Sequence, residues 1–463
     1  MSINSFDNYY MSWKPVLKDS DNPIYLELVN QLESDIKSNI LLPGTKLPPQ
    51  RELADYLGIN LGTVTRALKT CTKRGLITAV TGKGTYVASD VIYQDNMLTL
   101  NPPEDKIIEM GATLPSTSPN HHILDILSTT STEPNANQLL QYNFNAFHNF
   151  QHLMAEKWLF KNGLTTSTAH ILFASGGQNA IVSTLVGLFS SDDKIGCDEF
   201  TYPGFKSAAK MLGIILVPIK QFDEDSINYA CKHDNIKGLY IIPDYHNPTA
   251  LSMPCTIRED IGKSAIKHNL IIIEDAINHL LGDNILPPVG CFCPEQTIYI
   301  SSLSKTISPG LRLAFVSCPT KYKNELSFAL YNLNISVSAL LAQTAANLIQ
   351  SEKADIILEE RREFIRKRNI KINSYFKDYH LQGDLTCPFR WLILPPGISS
   401  HTFEQLAKAA KVQVYAADRF FVGSHQTIEA IRISVISEKS DQRFEKGLNI
   451  LLNLLFENST SSN

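Results

Sequence analysis

Residues 47–87 read LPPQRELADYLGINLGTVTRALKTCTKRGLITAVTGKGTYV, and this stretch decides the fold of the first part of the chain. After a proline-rich loop, RELADYL predicts a short helix, and Gly58-Ile59-Asn60 predicts a turn whose asparagine is a good N-cap for a longer helix. LITAV and GTYVA then alternate like two strands around the turn Thr81–Gly84. This order of elements is typical of a small α+β helix-turn-helix domain with a hairpin wing.

The longer helix has one apolar face and one polar face. The apolar positions recur at helical spacing and are expected to meet a core: Val64, Ala67, Leu68 and Cys71. The opposite face carries hydroxyl and basic side chains: Thr63, Thr65, Arg66, Lys69 and Lys73. Upstream, residues 23–40 predict an amphipathic helix from apolar residues at steps of four: Ile24, Leu28, Leu32, Ile36 and Ile40.

Positive charge is concentrated in the same stretch. Within residues 45–85, seven basic side chains stand against Glu52 and Asp55, which gives a net charge of +5, whereas the whole chain has a net charge of −4. The basic residues are Lys46, Arg51, Arg66, Lys69, Lys73, Arg74 and Lys83. A local basic patch is the electrostatic footprint of a DNA-binding surface, although charge alone fits a solvated basic face equally well.

Residues 47–87 resemble the winged-helix domain of GntR-type regulators. The resemblance implies that DNA is approached by residues of both helices and of the wing around Gly82–Gly84, namely Arg51, Thr63, Thr65, Arg66, Lys69 and Lys83. Many family members carry an arginine early in the recognition helix where this chain has Leu61, so the operator sequence does not carry over. We assign residues 20–88 to this DNA-binding domain.

Length and composition limit the classes of protein to which the whole chain can belong. Its 463 residues favour about two to four domains, and 43% hydrophobic with 19% charged residues exclude a disordered, collagen-like or coiled-coil protein. No apolar run is long enough to span a membrane, and the first 30 residues lack a signal-peptide layout. Eight cysteines without zinc-ligand spacing predict a reducing, cytoplasmic location and no metal site.

Beyond the DNA-binding domain, the pattern predicts a linker and then an α/β body. Residues 89–120 contain two proline-rich clusters and no sustained period, which indicates a linker. From 121 to 457, helical segments alternate with six apolar runs: HILFAS, KIGCDEF, IILVPI, KGLYIIP, LIIIED and TIYISS. Continuous apolar character predicts strands buried on both faces of a mainly parallel sheet, where ligands bind at the carboxyl ends of the strands.

Polar clusters follow these predicted strands. In chain order they are ASGGQNA (174–180), TYPGF (201–205), PDYHNPTA (243–250), IEDAINHL (273–280) and SSLSKTISPGLR (301–312), with IRISV (431–435) near the C-terminus. Each cluster alone fits a plain turn or a solvated loop. Together they supply one lysine, one carboxylate, one aromatic ring and several phosphate donors, which is the set that a pyridoxal-phosphate site requires.

Each part of that cofactor has a candidate partner. Lys305 supplies an amine that can react with the aldehyde, and Asp275 supplies a carboxylate that can pair with the pyridine nitrogen. Arg432 supplies a guanidinium that can bind the carboxylate of an amino acid through two hydrogen bonds. Tyr202 offers a ring for stacking, and Asn247 a hydrogen bond to the phenolic oxygen. The phosphate candidates are Gly176, Gly177, Gln178, Ser302, Ser304 and Arg312.

The order and spacing of these clusters resemble fold-type I, pyridoxal-phosphate-dependent aminotransferases across about residues 120–455. SLSKTISPGLR, HNPTA and IIIED are the strongest matches. The resemblance implies that Lys305 is the Schiff-base lysine, Asp275 the pyridine partner, and Arg312 a phosphate ligand. A tyrosine that the family usually places after the aspartate is missing, because Ile277 and Asn278 stand there. The usual Gly and Leu-Arg pattern is also missing, and a cluster of polar residues at 148–152 stands in its place: His148, Asn149, Gln151 and His152. The missing phenol argues against efficient transamination.

A winged helix followed by an aminotransferase-like body resembles the MocR group of GntR regulators. The resemblance implies a homodimeric, DNA-binding transcription regulator that senses pyridoxal 5'-phosphate or an amino compound and reads paired half-sites. Two alternatives stay open: a working aminotransferase with an accessory DNA-binding head, and a degenerate, cofactor-free dimerisation body. The sequence leaves open the effector, the target genes, and whether the protein activates or represses.

Overall fold

The computed structural model describes residues 9–17, 22–38, 40–41, 44–80, 84–88, 107–134, 136–141, 149–283, 285–423, 426 and 428–460. The chain divides into two compact units. The first comprises Met1–Leu100 with Gly423–Thr427, and the second comprises Asn101–Val422 with Ile428–Asn463.

The first unit contains three helices and a hairpin. The helices are α1 (Ile24–Lys37), α2 (Gln50–Leu57) and α3 (Leu61–Lys73), and the antiparallel strands are β1 (Ile77–Val80) and β2 (Gly84–Val87). The side chain of Asn60 accepts a hydrogen bond from the Gly62 backbone N–H at 2.7 Å, so the predicted N-cap is confirmed. The predicted core face of α3 is also confirmed, because all four of its side chains are buried: Val64, Ala67, Leu68 and Cys71.

Two features of this unit differ from the sequence-based expectation. Ile24 and Ile40, at the ends of the predicted amphipathic helix, are exposed, since α1 begins at the first and ends before the second. Residues before the expected start at 20 also belong to the core. Trp13 is buried, and its indole N–H donates to the Asp35 carboxylate at 2.8 Å.

The second unit is built on a seven-stranded sheet, ordered β4-β10-β9-β8-β7-β5-β6. The six predicted strands are present as β4 (Ile171–Ala174), β5 (Lys194–Asp198), β6 (Ile215–Ile219), β7 (Gly238–Ile241), β8 (Ile271–Asp275) and β9 (Thr297–Ser302). The seventh, β10 (Ala314–Ser317), was not predicted and runs antiparallel to both of its neighbours. The remaining pairings are parallel, so the prediction of a mainly parallel sheet is confirmed.

Helices cover this sheet and a smaller one. They are α4 (Asn120–Ser131), α5 (Asn149–Lys161), α6 (Gly177–Leu188), α7 (Pro203–Met211), α8 (Glu224–Asp234), α9 (Cys255–His268), α10 (Leu303–Thr306), α11 (Thr320–Asn334), α12 (Ala339–Gln350), α13 (Lys353–Tyr375), α14 (Ser400–Ala409) and α15 (Asp441–Thr460). The smaller sheet is antiparallel, and its order is β11 (Leu381–Gln382), β12 (Phe389–Ile393), β15 (Ala430–Ser434) and β14 (Tyr415–Ala416). The IRISV run therefore forms an inner strand, β15.

Part of the expected linker, 89–120, belongs to the second unit. Strand β3 (Ile108–Glu109) pairs in parallel with β13 (Val412–Gln413), and the Ile108 backbone N–H donates to the Lys411 carbonyl at 2.9 Å. Met110, just beyond β3, is fully buried. Residues 89–106 lie outside the described residues.

Where the structure describes the chain, no single helix is long and apolar enough to cross a membrane. The bent pair Thr320–Asn334 and Ala339–Gln350 meets the length and composition criteria when its two helices are taken together.

Candidate functional site

The predicted phosphate ligands lie around the N-terminus of α6. Gly176 has a φ of 89°, a backbone conformation that favours glycine, and a Cβ at this position would lie 2.7 Å from the Arg312 guanidinium and displace it. Arg312 donates to the Ser175 carbonyl at 3.0 Å. At the end of β9, the Ser302 hydroxyl accepts from the Ser304 backbone N–H at 3.3 Å. The arrangement offers helix N–H groups, two hydroxyls and one guanidinium, which suits a phosphate.

Gly177 and Gln178 form the first turn of α6. A Cβ on Gly177 would lie 3.4 Å from the Ser302 Cβ, so α6 approaches the end of β9 closely. The side-chain amide of Gln178 donates to the Gly204 carbonyl at 2.9 Å, which ties α6 to the start of α7. Its backbone N–H belongs to the first turn, whose N–H groups have no partner within the helix.

Asp275 ends β8 and is almost fully buried. Its Oδ2 accepts a hydrogen bond from the Tyr240 hydroxyl at 2.8 Å, whereas its buried Oδ1 has no hydrogen-bond partner. Burial raises the pKa of Asp275 to about 6, although the Tyr240 hydrogen bond, the Ile277 backbone N–H and the Lys305 charge oppose the rise. A buried carboxylate oxygen without a donor fits the protonated pyridine nitrogen of the expected cofactor.

Lys305 lies in α10, directly after β9. Burial, followed by the charges of Arg432, Arg361 and Arg312, lowers the pKa of Lys305 to about 8. Its ammonium donates to the carbonyl of Thr113 and lies 3.1 Å from the Thr113 hydroxyl. A lysine with a lowered pKa is neutral, and therefore nucleophilic, in a larger fraction of molecules near neutral pH.

Arg432 projects from β15 and is almost fully buried. Its guanidinium donates to the Gly111 carbonyl at 2.7 Å and to the Asn247 side-chain oxygen, and its Nε has no partner. Three rings surround it, with 5.4, 5.3 and 4.9 Å to the centroids of Phe389, Tyr415 and Phe420. Burial lowers the pKa of Arg432 to about 10, which leaves it charged at neutral pH. A buried cation with neutral acceptors suits a carboxylate ligand.

Tyr202 and Asn247 join the same group of residues. Burial raises the pKa of Tyr202 to about 12; the charge of Asp275 also raises it, whereas the charges of Arg432 and Arg312 lower it. The hydrogen bond between Asn247 and Arg432 connects the turn after β7 to β15. The structure thus brings the predicted phosphate ligands together around α6, and Asn247 together with Arg432.

Ile277, an aliphatic residue, stands where the aminotransferase resemblance leads one to expect a tyrosine. The Ile277 side chain approaches the start of α6, where a Cβ on Gly177 would lie 3.8 Å from its Cδ1. The Asn278 amide is turned to the Tyr245 carbonyl, to which it donates at 3.3 Å. Neither residue supplies a phenol. Of the 148–152 cluster, residue 148 lies outside the described residues, and Gln151 is buried and donates to Gln343 at 2.6 Å.

Two features of the site were missed from the sequence. Tyr240 lies inside the apolar run KGLYIIP, where a tyrosine looks like an ordinary core aromatic. A signal was present, because a buried tyrosine hydroxyl needs a partner and the following strand ends in a carboxylate. The segment 109–114 was assigned to the linker, and no local pattern distinguishes it.

The predicted DNA-binding side chains lie on α2 and α3. Arg51, Arg66 and Lys69 are exposed, and Thr63 and Thr65 are half-buried. The Thr65 hydroxyl donates to the Gln50 side-chain oxygen at 2.8 Å, and the Arg66 guanidinium lies 3.9 Å from the centroid of the Tyr25 ring. Lys83 lies outside the described residues.

Comparisons with known proteins match both units. Residues 24–87 match the family model of bacterial regulatory proteins, gntR family, and residues 105–451 match aminotransferase class I and II. The chain is 46% identical to the uncharacterized HTH-type transcriptional regulator YdeF of Bacillus subtilis (strain 168), covering 98% of this chain and 99% of that one. It is 23% identical to the HTH-type transcriptional regulator NorG of Staphylococcus aureus (strain N315), covering 86% and 96%.

Solved structures share the fold of the second unit. A kynurenine aminotransferase of Pyrococcus horikoshii, solved in complex with PMP, superposes with a TM-score of 0.69 at 20% identity, over 76% of this chain and 92% of that one. An archaeal alanine:glyoxylate aminotransferase superposes with a TM-score of 0.71 at 17% identity, over 83% and 98%. At these identities the likeness extends to the fold, a fold-type I aminotransferase body.

Proposed function

The chain belongs to the GntR-type transcriptional regulators that carry an aminotransferase class I and II domain, the MocR-type architecture, and from this premise we propose that its second unit is a ligand sensor. In this proposal the unit binds pyridoxal 5'-phosphate through Lys305, and the state of the site controls the binding of DNA by the first unit. The sensed ligand is an amino compound or the cofactor itself. The proposal includes a cytoplasmic location, because there the protein would reach its DNA target.

The side chains at the site support the cofactor. Lys305 would hold it covalently, Asp275 would pair with its ring nitrogen through the free Oδ1, and Arg312 with the α6 N-terminus would hold its phosphate. Relatives with the aminotransferase class I and II fold are dependent on pyridoxal phosphate. Bound there, the cofactor would supply an aldehyde that reacts reversibly with amines, so that the domain distinguishes amino compounds from others.

One observation carries the sensing part of the proposal. Residues 109–114, called the strap below, run through the site, and their carbonyl groups accept hydrogen bonds from two of its cationic side chains, Arg432 and Lys305. Arg432 donates to Gly111, and Lys305 donates to Thr113. Between these two, the Ala112 carbonyl accepts from the Ser437 hydroxyl. In the sequence, the strap continues through 89–106 to the DNA-binding domain.

The strap and the ligands use the same donors. When its nitrogen is bonded to the cofactor, Lys305 has fewer hydrogens to donate to Thr113, and a carboxylate on Arg432 competes with the Gly111 carbonyl. Occupancy of the site therefore weakens the attachment of the strap. A ligand that binds more tightly when the strap is free shifts the population toward that arrangement, which is the thermodynamic requirement for a sensor.

A working aminotransferase is the second candidate. It is favoured by the complete set of Lys305, Asp275 and Arg432. It is disfavoured by the aliphatic Ile277, which leaves the phenolic oxygen of the cofactor without its usual tyrosine donor and favours binding over turnover.

We include a homodimer in the proposal, as the fold-type I resemblance implies. Support comes from apolar side chains exposed at the C-terminal end of α11: Phe328, Tyr331, Leu333 and Ile335. This surface adjoins the cofactor site, because Asn334 donates to the Ser175 hydroxyl, next to the phosphate-binding turn. Burying such a surface against a second copy would remove it from water.

The proposal is tested on the purified full-length protein loaded with pyridoxal phosphate. Light scattering should give two chains per particle. Absorbance is then recorded with a panel of amino acids, together with affinity for duplex DNA that the protein selects from a random pool. We expect one compound to shift the cofactor band to a new, stable position and to change DNA affinity by about 5- to 150-fold. Steady release of an oxo acid would favour the aminotransferase instead, and no cofactor band would contradict the cofactor site.

Replacing Arg66 by alanine should weaken DNA binding, because Arg66 is exposed on the recognition helix. If Arg66 reads a base, its loss should cost about 1–3 kcal/mol of binding free energy. If it contacts a phosphate, its loss should reduce the slope of log affinity against log salt concentration by about 1. Affinity is measured against the selected duplex at several salt concentrations. The matched control is Arg74→Ala, since Arg74 lies at the C-terminal end of α3 and pairs with Glu33 at 3.1 Å. Equal losses in both variants would contradict the assignment of Arg66.

A further inference from the structure

Among the residues that the structure describes, Tyr240 is the tyrosine whose hydroxyl donates a hydrogen bond to Asp275. Its ring lies in β7, is almost fully buried, and stacks on Phe205 with a centroid distance of 3.8 Å and an interplanar angle of 10°. Its hydroxyl meets Asp275 Oδ2 at 2.8 Å across the parallel β7–β8 pair, in which Tyr240 is opposite Ile273. Only Oδ2 is held in this way, because Oδ1 has no partner.

We propose that Tyr240 is a positioning residue, which fixes Asp275 with Oδ1 directed at the cofactor ring nitrogen and keeps its carboxylate ionised. This inference rests on the proposed binding of pyridoxal phosphate. The Tyr240 ring packs against Phe205, and its hydroxyl fixes one oxygen of the carboxylate. Rotation of the carboxylate would break this hydrogen bond, so the free oxygen keeps one direction.

Charge gives the hydroxyl a second role. Asp275 is buried, and burial favours its neutral acid, which lacks the negative charge that would stabilise a protonated ring nitrogen. The groups that oppose neutralisation are the Tyr240 hydroxyl, the Ile277 backbone N–H and the Lys305 charge, whereas the Tyr202 phenol lies nearby without donating to it. Loss of the hydroxyl should therefore raise the pKa of Asp275 further above its ordinary value and weaken its pairing with the ring nitrogen.

A purely structural role makes a different prediction. If Tyr240 only fills the core against Phe205, then its ring matters and its hydroxyl does not. Tyr240→Phe removes the hydroxyl and keeps the stack. Phe205→Leu, the matched control, disturbs the stack and keeps the hydroxyl.

The experiment compares two cofactors on the full-length protein. One is pyridoxal phosphate, and the other is its deaza analogue, in which a C–H group replaces the ring nitrogen. Affinity for each is measured by absorbance titration for the wild type, Tyr240→Phe and Phe205→Leu. Because a hydrogen bond to a charged group is worth more than a neutral one, we expect Tyr240→Phe to weaken pyridoxal phosphate about tenfold and leave the analogue nearly unchanged. Phe205→Leu should weaken both cofactors alike.

A second measurement removes the carboxylate of Asp275, through which Tyr240 is proposed to act. In an Asp275→Asn background, Tyr240→Phe should have no further effect on pyridoxal phosphate affinity, because the residue acts through that carboxylate. Equal losses for the two cofactors in Tyr240→Phe, or no loss for either, would overturn the inference. If the wild type itself fails to bind pyridoxal phosphate, the proposed function fails instead, so the two failures are distinguishable.

Discussion

Lys305→Ala should abolish the covalent attachment of pyridoxal phosphate. The amine of Lys305 follows β9 at the site that Asp275 and Arg312 share, and alanine offers no nucleophile in its place. We expect complete loss of the absorption band of the lysine-bound cofactor. After reduction with borohydride, the mass of the protein should increase by one cofactor per chain in the wild type and remain unchanged in the variant.

Two controls separate covalent chemistry from charge and from general damage. Lys305→Arg keeps a cation that can donate to Thr113, so it should lose covalent attachment while the strap remains held as in the cofactor-free wild type. Lys263→Ala removes an exposed lysine that pairs with Asp260 at 3.2 Å and should behave as the wild type does. A borohydride-stable adduct in Lys305→Ala would show that another lysine holds the cofactor.

The same lysine gives a pH dependence. Its pKa is lowered to about 8, mainly by burial, so its neutral and nucleophilic form becomes abundant only as the pH rises through that value. The rate of cofactor incorporation into the cofactor-free protein should therefore rise with pH, pass its midpoint near the pKa of Lys305, and level off above it. A rate that is flat through this range, or that falls, would contradict an attacking Lys305 amine.

The residues that were predicted from the sequence share a physical reason. The carboxyl ends of parallel strands meet at one edge of a sheet, so the polar residues that end β5, β7, β8 and β9 converge whatever the details of packing. A continuous apolar run before Asp275 and before Lys305 was enough to predict that each residue lies at the carboxyl end of a strand. In the same way, the helical period of α3 was enough to identify its buried face.

The residues that were missed depend on contacts between distant parts of the chain. Strand β3 has two residues and exists because it pairs with β13, about three hundred residues later. The strap is held by hydrogen bonds from Arg432 and Lys305, which the local sequence does not reveal. The proline-rich clusters around the strap indicated a linker instead. Tyr240 meets Asp275 because of the register between β7 and β8, which a single strand does not specify.

Arg432→Ala should remove the preference of the site for carboxylates. Arg432 is buried, charged and hydrogen-bonded to neutral acceptors, so a carboxylate that binds beside it gains a desolvated, forked partner. Removing one partner of such a buried pair costs about 3–5 kcal/mol, which is about a hundredfold or more in affinity. The pKa of Arg432 falls only to about 10, so this preference should persist across neutral pH.

The design of this experiment does not require the effector to be known. Each amino acid of the panel is paired with the amine that lacks its carboxylate, and the cofactor band is titrated with both on the wild type and on Arg432→Ala. The wild type should prefer the amino acid of the responding pair, and the variant should bind both members equally. Arg432→Lys keeps the charge without the fork and should keep part of the preference, while thermal unfolding checks that each variant is folded.

The effect on DNA distinguishes sensing from mere binding. Arg432 also holds the strap through the Gly111 carbonyl, so Arg432→Ala should free this contact in the absence of any ligand. DNA affinity of the variant should then lie closer to that of the ligand-bound wild type and respond less to the amino acid. If the carboxylate preference disappears while DNA affinity and its response stay as in the wild type, Arg432 binds the ligand but the strap does not report it.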